Sequence, residues 1–305
     1  LGPPGSYTEL ALREHLANYT AVPCFSVAEV FRAIGEGDAE AGFVPLENML
    51  QGPVAETLDL LYQYKNRVFV EKTFLYEIHH CIGILPASGS LEERKNCIKR
   101  ICSHQQSLGQ CSQYIRRHFP RCELCPSTSN SAAAAQVKAA DLVDSAVIAG
   151  RGVLEEYGFE ILAEDIADVP GNQTRFALIL PGDFLKTRGG QHSSLGAGNG
   201  SAEYATSIVV DPCRDRQGIL FEMLEVISQK HRVNLLSIHS RPDARGGFVF
   251  HLDLEGSFYS AEIQNSIQSL HQYCLSSTGN MAEVIVCGSY ERKRFHSLPF
   301  QTIGI

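Results

Sequence analysis

Three hundred and five residues, 44% hydrophobic and 20% charged, describe a globular chain long enough for two domains with cores of their own. A formal net charge of −8, with Lys and Arg scattered along the chain, argues against binding to nucleic acid. No apolar run reaches the ~20 residues that span a bilayer, and the opening "LGPPGSYTEL" has neither a basic leader nor an apolar signal core, so a cytoplasmic protein with no membrane partner is expected.

Ten cysteines spread over the chain without a leader are expected to be reduced thiols. One pair, Cys122 and Cys125, has C-x-x-C spacing, but no second pair accompanies it, and His79 and His80 fall in an apolar run. A structural zinc takes four ligands, so no metal is expected.

In chain order, the apolar runs predict strands at 41–45, 76–84, 100–103, 146–149 and 176–180, and the stretches 55–64, 106–119 and 127–141 carry helical spacing. Strands interleaved with helices imply an α/β domain with mainly parallel sheets, over residues 1–182. The chain opens at a turn, and a short strand ahead of it is expected. Residues 183–203, rich in Gly and Ser, read as a flexible linker. A compact domain at 204–288 follows, with strand 205–211, helix 217–231, strands 233–241 and 247–254, helix 259–273 and strand 281–287. That is the βαββαβ order of a ferredoxin-like unit. The tail 289–305 has no clear periodicity and is expected to dock through Phe295, Leu298 and Phe300.

Four polar clusters stand where a strand meets a turn or a helix, the place where open α/β sheets bind ligands. In "GPPGSYTE" (2–9), Ser6 or Thr8 is either a helix cap or part of a carboxylate site at the helix start. In "GFVPLENMLQGPVAETLDLL" (42–61), Glu47 and Asn48 are turn formers or, for Asn48, a ligand donor. In "ICSHQQSLGQC" (101–111), Ser103, His104, Gln105 and Gln106 open a helix, with His104 either its cap or a general acid or base. In "DVPGNQTRFALILPG" (168–182), Pro170 and Gly171 already make the turn, so Asn172, Gln173, Thr174 and Arg175 are surplus to it and form either a hydrogen-bonded strand entry or a site where a polar ligand meets rigid backbone. The fingerprints of phosphate loops, nucleophile elbows, zinc peptidases and dinucleotide folds are absent.

Taken in order, "GPPGSYTELA", "VPLENMLQGPVAETLDLL", "SHQQSLGQC" and "NQTRFALI", followed by "GILFEML" and "NLLSIHSRP", resemble prephenate dehydratase with a C-terminal ACT regulatory domain. The resemblance implies a two-lobed, type II periplasmic-binding-like catalytic region and conversion of prephenate to phenylpyruvate, with loss of water and carbon dioxide, in phenylalanine biosynthesis. No cofactor is implied. The family's T-R-F motif falls on Thr174, Arg175 and Phe176, making Thr174 the hydroxyl that assists departure of the ring OH. Ser6, Asn48, Ser103, Gln106, Asn172 and Arg175 are the implied substrate contacts. Gly218, Ile219, Leu220, Phe221, Asn234, Leu235, Ser240 and Arg241 are the implied contacts for phenylalanine, bound between paired regulatory domains of a homodimer or homotetramer. Ser6, Met49 and His239 depart from the family's usual Thr, Ser and Glu. With no chorismate-mutase-like segment ahead of residue 1, a fused bifunctional enzyme is not expected. Two alternatives remain open at the level of sequence: an arogenate dehydratase, and an inactive amino-acid sensor that kept the two-lobed fold.

Overall fold

The computed structural model describes residues 2, 5–188, 203–214, 216–278 and 282–296. Most of the Gly- and Ser-rich stretch, and Leu298 and Phe300 of the tail, lie outside the described residues. In chain order the elements are α1 (Tyr7–His15), α2 (Val27–Glu36), β1 (Gly42–Asn48), β2 (Gly52–Pro53), α3 (Ala55–Gln63), β3 (Val68–Glu77), β4 (Cys81–Ile84), α4 (Leu91–Asn96), β5 (Arg100–His104), α5 (Gln105–Gln110), α6 (Ser112–His118), β6 (Glu123–Ser127), α7 (Asn130–Ala139), β7 (Ser145–Ala149), α8 (Arg151–Glu156), β8 (Glu160–Ala163), β9 (Gln173–Pro181) and α9 (Phe184–Arg188). Beyond residue 203 come β10 (Tyr204–Asp211), α10 (Ile219–Glu225) continued by one π turn (Val226–Lys230), β11 (Leu235–Pro242), β12 (Phe248–Glu255), α11 (Ala261–Thr278) and β13 (Glu283–Glu291).

These elements fall into two compact units, one of Leu1–Phe25, Leu75–Thr174 and Phe295–Ile305, the other of Ser26–Phe74 and Arg175–Arg294. The first is built on a five-stranded sheet in the order β6-β5-β7-β4-β8. β5 runs parallel to β6 and β7, while β4 runs antiparallel to both β7 and β8. β5 through β8 are each joined to the next by a helix, the crossover that parallel strands require; β4 alone runs against them, which makes this sheet mixed where a mainly parallel one was expected. The side-chain period of two sorts its apolar residues onto two faces. Ile82, Ile84, Ile101, Ala146 and Ile148 pack into one core with Leu108, Ile115 and Phe119. Their neighbours Cys81, Cys102, Val147 and Ala149 pack into another, under Ala133, Ala134 and Val137 of α7. Burial on both faces is why these strands read as continuous apolar runs.

Two expected elements are each split. The helix foreseen over 106–119 breaks at Cys111, whose ψ of 18° leaves the helical range, and the strand foreseen over 76–84 is two strands separated at 78–80. Side-chain caps set several helix starts: Ser26 Oγ accepts from Glu29 N–H, Ser129 Oγ from Ala132 N–H, and Ser90 forms a capping box with Glu93.

The second unit carries an eight-stranded sheet in the order β11-β12-β10-β13-β3-β9-β1-β2. Its β10-to-β13 portion follows the βαββαβ order, with β10 antiparallel to β12 and β13 and β11 antiparallel to β12. Phe184, at the start of α9, is buried in the core under this portion with Phe69, Met223 and Leu252. Three polar contacts fasten α3 and the residues after it to the same portion: Arg241 makes a two-pronged pair with Asp59 at 2.7 Å on each arm, Tyr62 donates to Asp211, and Lys65 pairs with Glu283. β13 joins β3 through the parallel bridge Gly288 to Val70. A Cβ on Gly288 would stand 2.3 Å from the Val70 carbonyl oxygen, so only glycine permits this approach.

Gly288→Ala is therefore expected to lower the unfolding free energy by roughly 1–3 kcal/mol through forced separation of β13 and β3. Urea denaturation checks this; unchanged stability would show that the bridge yields without cost.

Candidate functional site

β9 begins three residues earlier than the apolar run indicated, at Gln173. Gln173, Thr174 and Arg175 are therefore the first residues of the strand, and of the four only Asn172 stands at its mouth. Gly171, at φ 73°, supplies the turn, and Asn172, Gln173 and Thr174 are 2, 4 and 8% exposed. Each is committed to its surroundings. The Asn172 carbonyl accepts from Ile78 N–H at 2.8 Å, and Gln173 Oε1 accepts from His296 N–H at 3.0 Å. Alternation along the strand then sends Gln173 and Arg175 to one side and Thr174 and Phe176 to the other. Phe176 stacks on Phe43 at 5.3 Å. Thr174 closes the first compact unit and Arg175 opens the second.

In the first unit a second polar cluster stands at the end of β5. Asn130 Oδ1 lies 2.9 Å from Ser103 Oγ and 3.0 Å from Ser107 Oγ, and it accepts from His104 N–H at 3.1 Å. Ser103 is fully buried, and its hydroxyl also lies 2.5 Å from the Ile148 carbonyl. His104 caps α5, its Nδ1 accepting from Gln106 N–H at 3.4 Å. At the start of α1, Ser6 Oγ accepts from Glu9 N–H, and Glu9 in turn takes the Gly5 N–H. That helix start already holds a carboxylate.

The first unit also contains a chain of hydrogen bonds around the buried His80 that residue patterns did not single out. Tyr7 OH lies 2.7 Å from the His79 carbonyl and 3.0 Å from His80 Nδ1, and His80 Nε2 lies 2.8 Å from Gln110 Oε1. Burial holds the His80 imidazole below its ordinary pKa, and both ring nitrogens have partners. The apolar run around His80 was its only signal, and that run marks a core histidine equally well.

In the second unit Arg175, with its side chain 13% exposed, has its Nε 3.5 Å from Glu47 Oε2. Burial raises the Glu47 carboxyl above its ordinary range, Arg175 acts against that shift, and Asp253 adds to it. Asn48 Oδ1 accepts from Leu50 N–H at 3.1 Å, which fixes the turn after β1. Of the expected effector residues, Gly218 takes a left-handed conformation at φ 84° to start α10; Ile219 is buried and Phe221 is 68% exposed. Asn234 donates to Glu255 at 2.9 Å. On β11 the exposure alternates, with Ile238 and Ser240 exposed and Ser237, His239 and Arg241 half-buried. Arg241 thus faces away from Ser240 and is held by Asp59, so the two effector residues foreseen together on this strand point in opposite directions.

His251 is directly across from His239 in the strand register and is 6% exposed. Burial pushes its pKa down to about 4.

A family model described as prephenate dehydratase matches residues 1–182. Arogenate dehydratase 5, chloroplastic, of Arabidopsis thaliana is 29% identical over 89% of this chain, and the chain spans 63% of that protein's length. Prephenate dehydratase of Methanocaldococcus jannaschii is 30% identical over 89% of this chain and 92% of its own. The crystal structure of prephenate dehydratase from Arthrobacter aurescens, in complex with L-Phe, superposes with a TM-score of 0.80 at 28% identity, over 98% of this chain and 92% of that one.

The buried His251 makes the stability of the fold depend on pH. Its folded pKa lies below its unfolded value, so the stability it contributes is complete above about pH 6.5 and is lost as pH falls toward 4. Between pH 7.5 and pH 5 the native chain should lose roughly 2 kcal/mol more than His251→Gln, by urea denaturation at both values. Parallel losses would show that His251 is not buried neutral.

Proposed function

The chain belongs to the prephenate dehydratase family, and from that premise we propose that it converts prephenate to phenylpyruvate, water and carbon dioxide. The observation that carries the reading is the "NQTRF" stretch, which lies inside the matched region and is buried and pre-ordered at the head of β9. In the proposed reaction the bond from the ring to its carboxylate breaks. Its electron pair enters the ring, and the ring hydroxyl leaves with a proton as water, so that the product gains aromaticity.

Thr174 donates a hydrogen bond to the departing oxygen; its hydroxyl is too weak an acid to be left ionised near neutrality, so the proton that completes the water passes through it while a proton from solvent replaces it in the same step, and Thr174 ends protonated. Arg175 complements a substrate carboxylate, with the Glu47 carboxylate 3.5 Å from its Nε. Asn48, Gln106 and Asn172 complete the substrate contacts with Ser6, while Ser103 acts from beneath through Asn130. Preorganised donors of this kind stabilise developing charge without reorganising during the reaction.

The 204–288 region is proposed as an ACT regulatory domain, and the catalytic region as type II periplasmic-binding-like. Phenylalanine, the ligand crystallised with the Arthrobacter relative, is the proposed inhibitor. Its proposed contacts are the stretch 218–221 with Asn234, Leu235 and Ser240, and Arg241 joins them only on release from Asp59. An effector of this kind acts through its preference for one arrangement of paired chains, so inhibition and oligomer state are linked. The likeness to a plant arogenate dehydratase keeps arogenate as the second substrate to be assayed.

Thr174→Ala is expected to lower kcat by about 10²–10⁴-fold, with KM for prephenate changed little, in a phenylpyruvate absorbance assay. Thr174→Ser should recover much of the loss. An alanine variant that turns over normally would remove Thr174 from the chemistry.

A further inference from the structure

The second compact unit contains a cavity of about 40 Å³ whose lining mixes apolar with polar side chains, room for roughly two or three waters. Glu47 and Arg175 reach it from β1 and β9. Ser207, Ser237, His251 and Asp253 reach it from the β10, β11 and β12 strands. His251, more than nine-tenths buried, has an Nε2 with no hydrogen-bond partner among the described residues, and its side chain lines this cavity. A buried ring nitrogen is costly to leave unpaired, and a cavity with room for water is where it is satisfied.

Asp253 is the second anchor. It accepts from Ser237 Oγ at 2.7 Å and from Ser207 Oγ. The Ser207 proton is thereby used, so Tyr290 OH, 2.6 Å from the same oxygen, is the donor in that contact. The Asp253 carboxylate is thus locked by a fixed chain of hydroxyls, and its field reaches Glu47, where it opposes ionisation.

We propose that this cavity is a hydrated relay in which His251 and Asp253 are positioning residues for Arg175, so that the β10-to-β13 strands set the orientation of the arginine that meets the substrate carboxylate. The inference rests on the dehydratase reading. Its mechanical route lies in β11. Ser237 and His239 line the cavity, and Arg241 on the same face holds Asp59 of α3, while Ser240 lies on the opposite, exposed face. Anything that binds the Ser240 side and shifts this strand must move one wall of the cavity.

The full-length chain tests this through His251→Leu, His251→Gln and Asp253→Asn, each first matched to the native chain in circular dichroism and melting temperature. The relay predicts that His251→Leu and Asp253→Asn raise KM for prephenate about tenfold while kcat changes less than about threefold. It also predicts that His251→Gln, which keeps a polar atom toward the cavity, restores KM. An unchanged KM in both the leucine and asparagine variants overturns it, as does a glutamine variant no better than leucine. The Arg175 Nε–H resonance in ¹⁵N-labelled protein, identified by its loss in Arg175→Lys, needs no turnover and separates failure of the relay from failure of the dehydratase reading. The relay predicts that this resonance shifts in His251→Leu and returns in His251→Gln; a resonance that does not move overturns it.

Discussion

A guanidinium removed from water must be paired or it destabilises the fold that buries it. Arg175 is in that position, and Glu47 is the carboxylate the structure puts beside it. Much of the surrounding architecture follows from accommodating this pair. β9 lies between β3 and β1 in the sheet, so its backbone is hydrogen-bonded on both sides and the Arg175 main chain is held in place. β1 ends with Glu47 and Asn48, and the Asn48 side chain closes the turn that stops the strand there. Burial raises the Glu47 carboxyl above its ordinary range, and the Arg175 guanidinium beside it works against that shift.

Rigidity of this kind comes from the backbone. Thr174 and Arg175 are neighbours on a strand with a period of two, so fixing the strand fixes both in opposed directions. The same rule operates on β11, where the half-buried face carries Ser237, His239 and Arg241 and the exposed face carries Ile238 and Ser240. A strand with one face on a cavity and the other exposed is suited to carrying a displacement from one to the other. Asp59 and Tyr62 of α3, with Lys65 just after it, add a polar seam that makes such a displacement consequential.

The elements legible in the sequence were those in which local pattern and tertiary burial agree. β7, a five-residue run buried on both faces, and α3, with its leucines at helical spacing, needed no long-range information. The NQTRF cluster was legible as surplus to its turn, but not as part of the strand, because nothing local tells a buried polar strand residue from a loop residue. Asn130 looked like one more polar residue ahead of an alanine-rich helix, and its role as acceptor for Ser103, Ser107 and His104 depends on contacts 23–27 residues away. The break at Cys111, the reversed direction of β4 and the orientation of Arg241 toward Asp59 are likewise products of packing. His251 lies in an apolar strand sequence where a core histidine and a positioning residue read alike.

The most direct test of the dehydratase account is incubation of the purified chain with prephenate, with phenylpyruvate and carbon dioxide both quantified, and with arogenate assayed beside it. The account predicts equimolar appearance of the two products from prephenate at a rate far above the uncatalysed one. Prephenate bound at equilibrium but returned unchanged, with arogenate also unreacted, would contradict it and leave a binding protein built on the same fold.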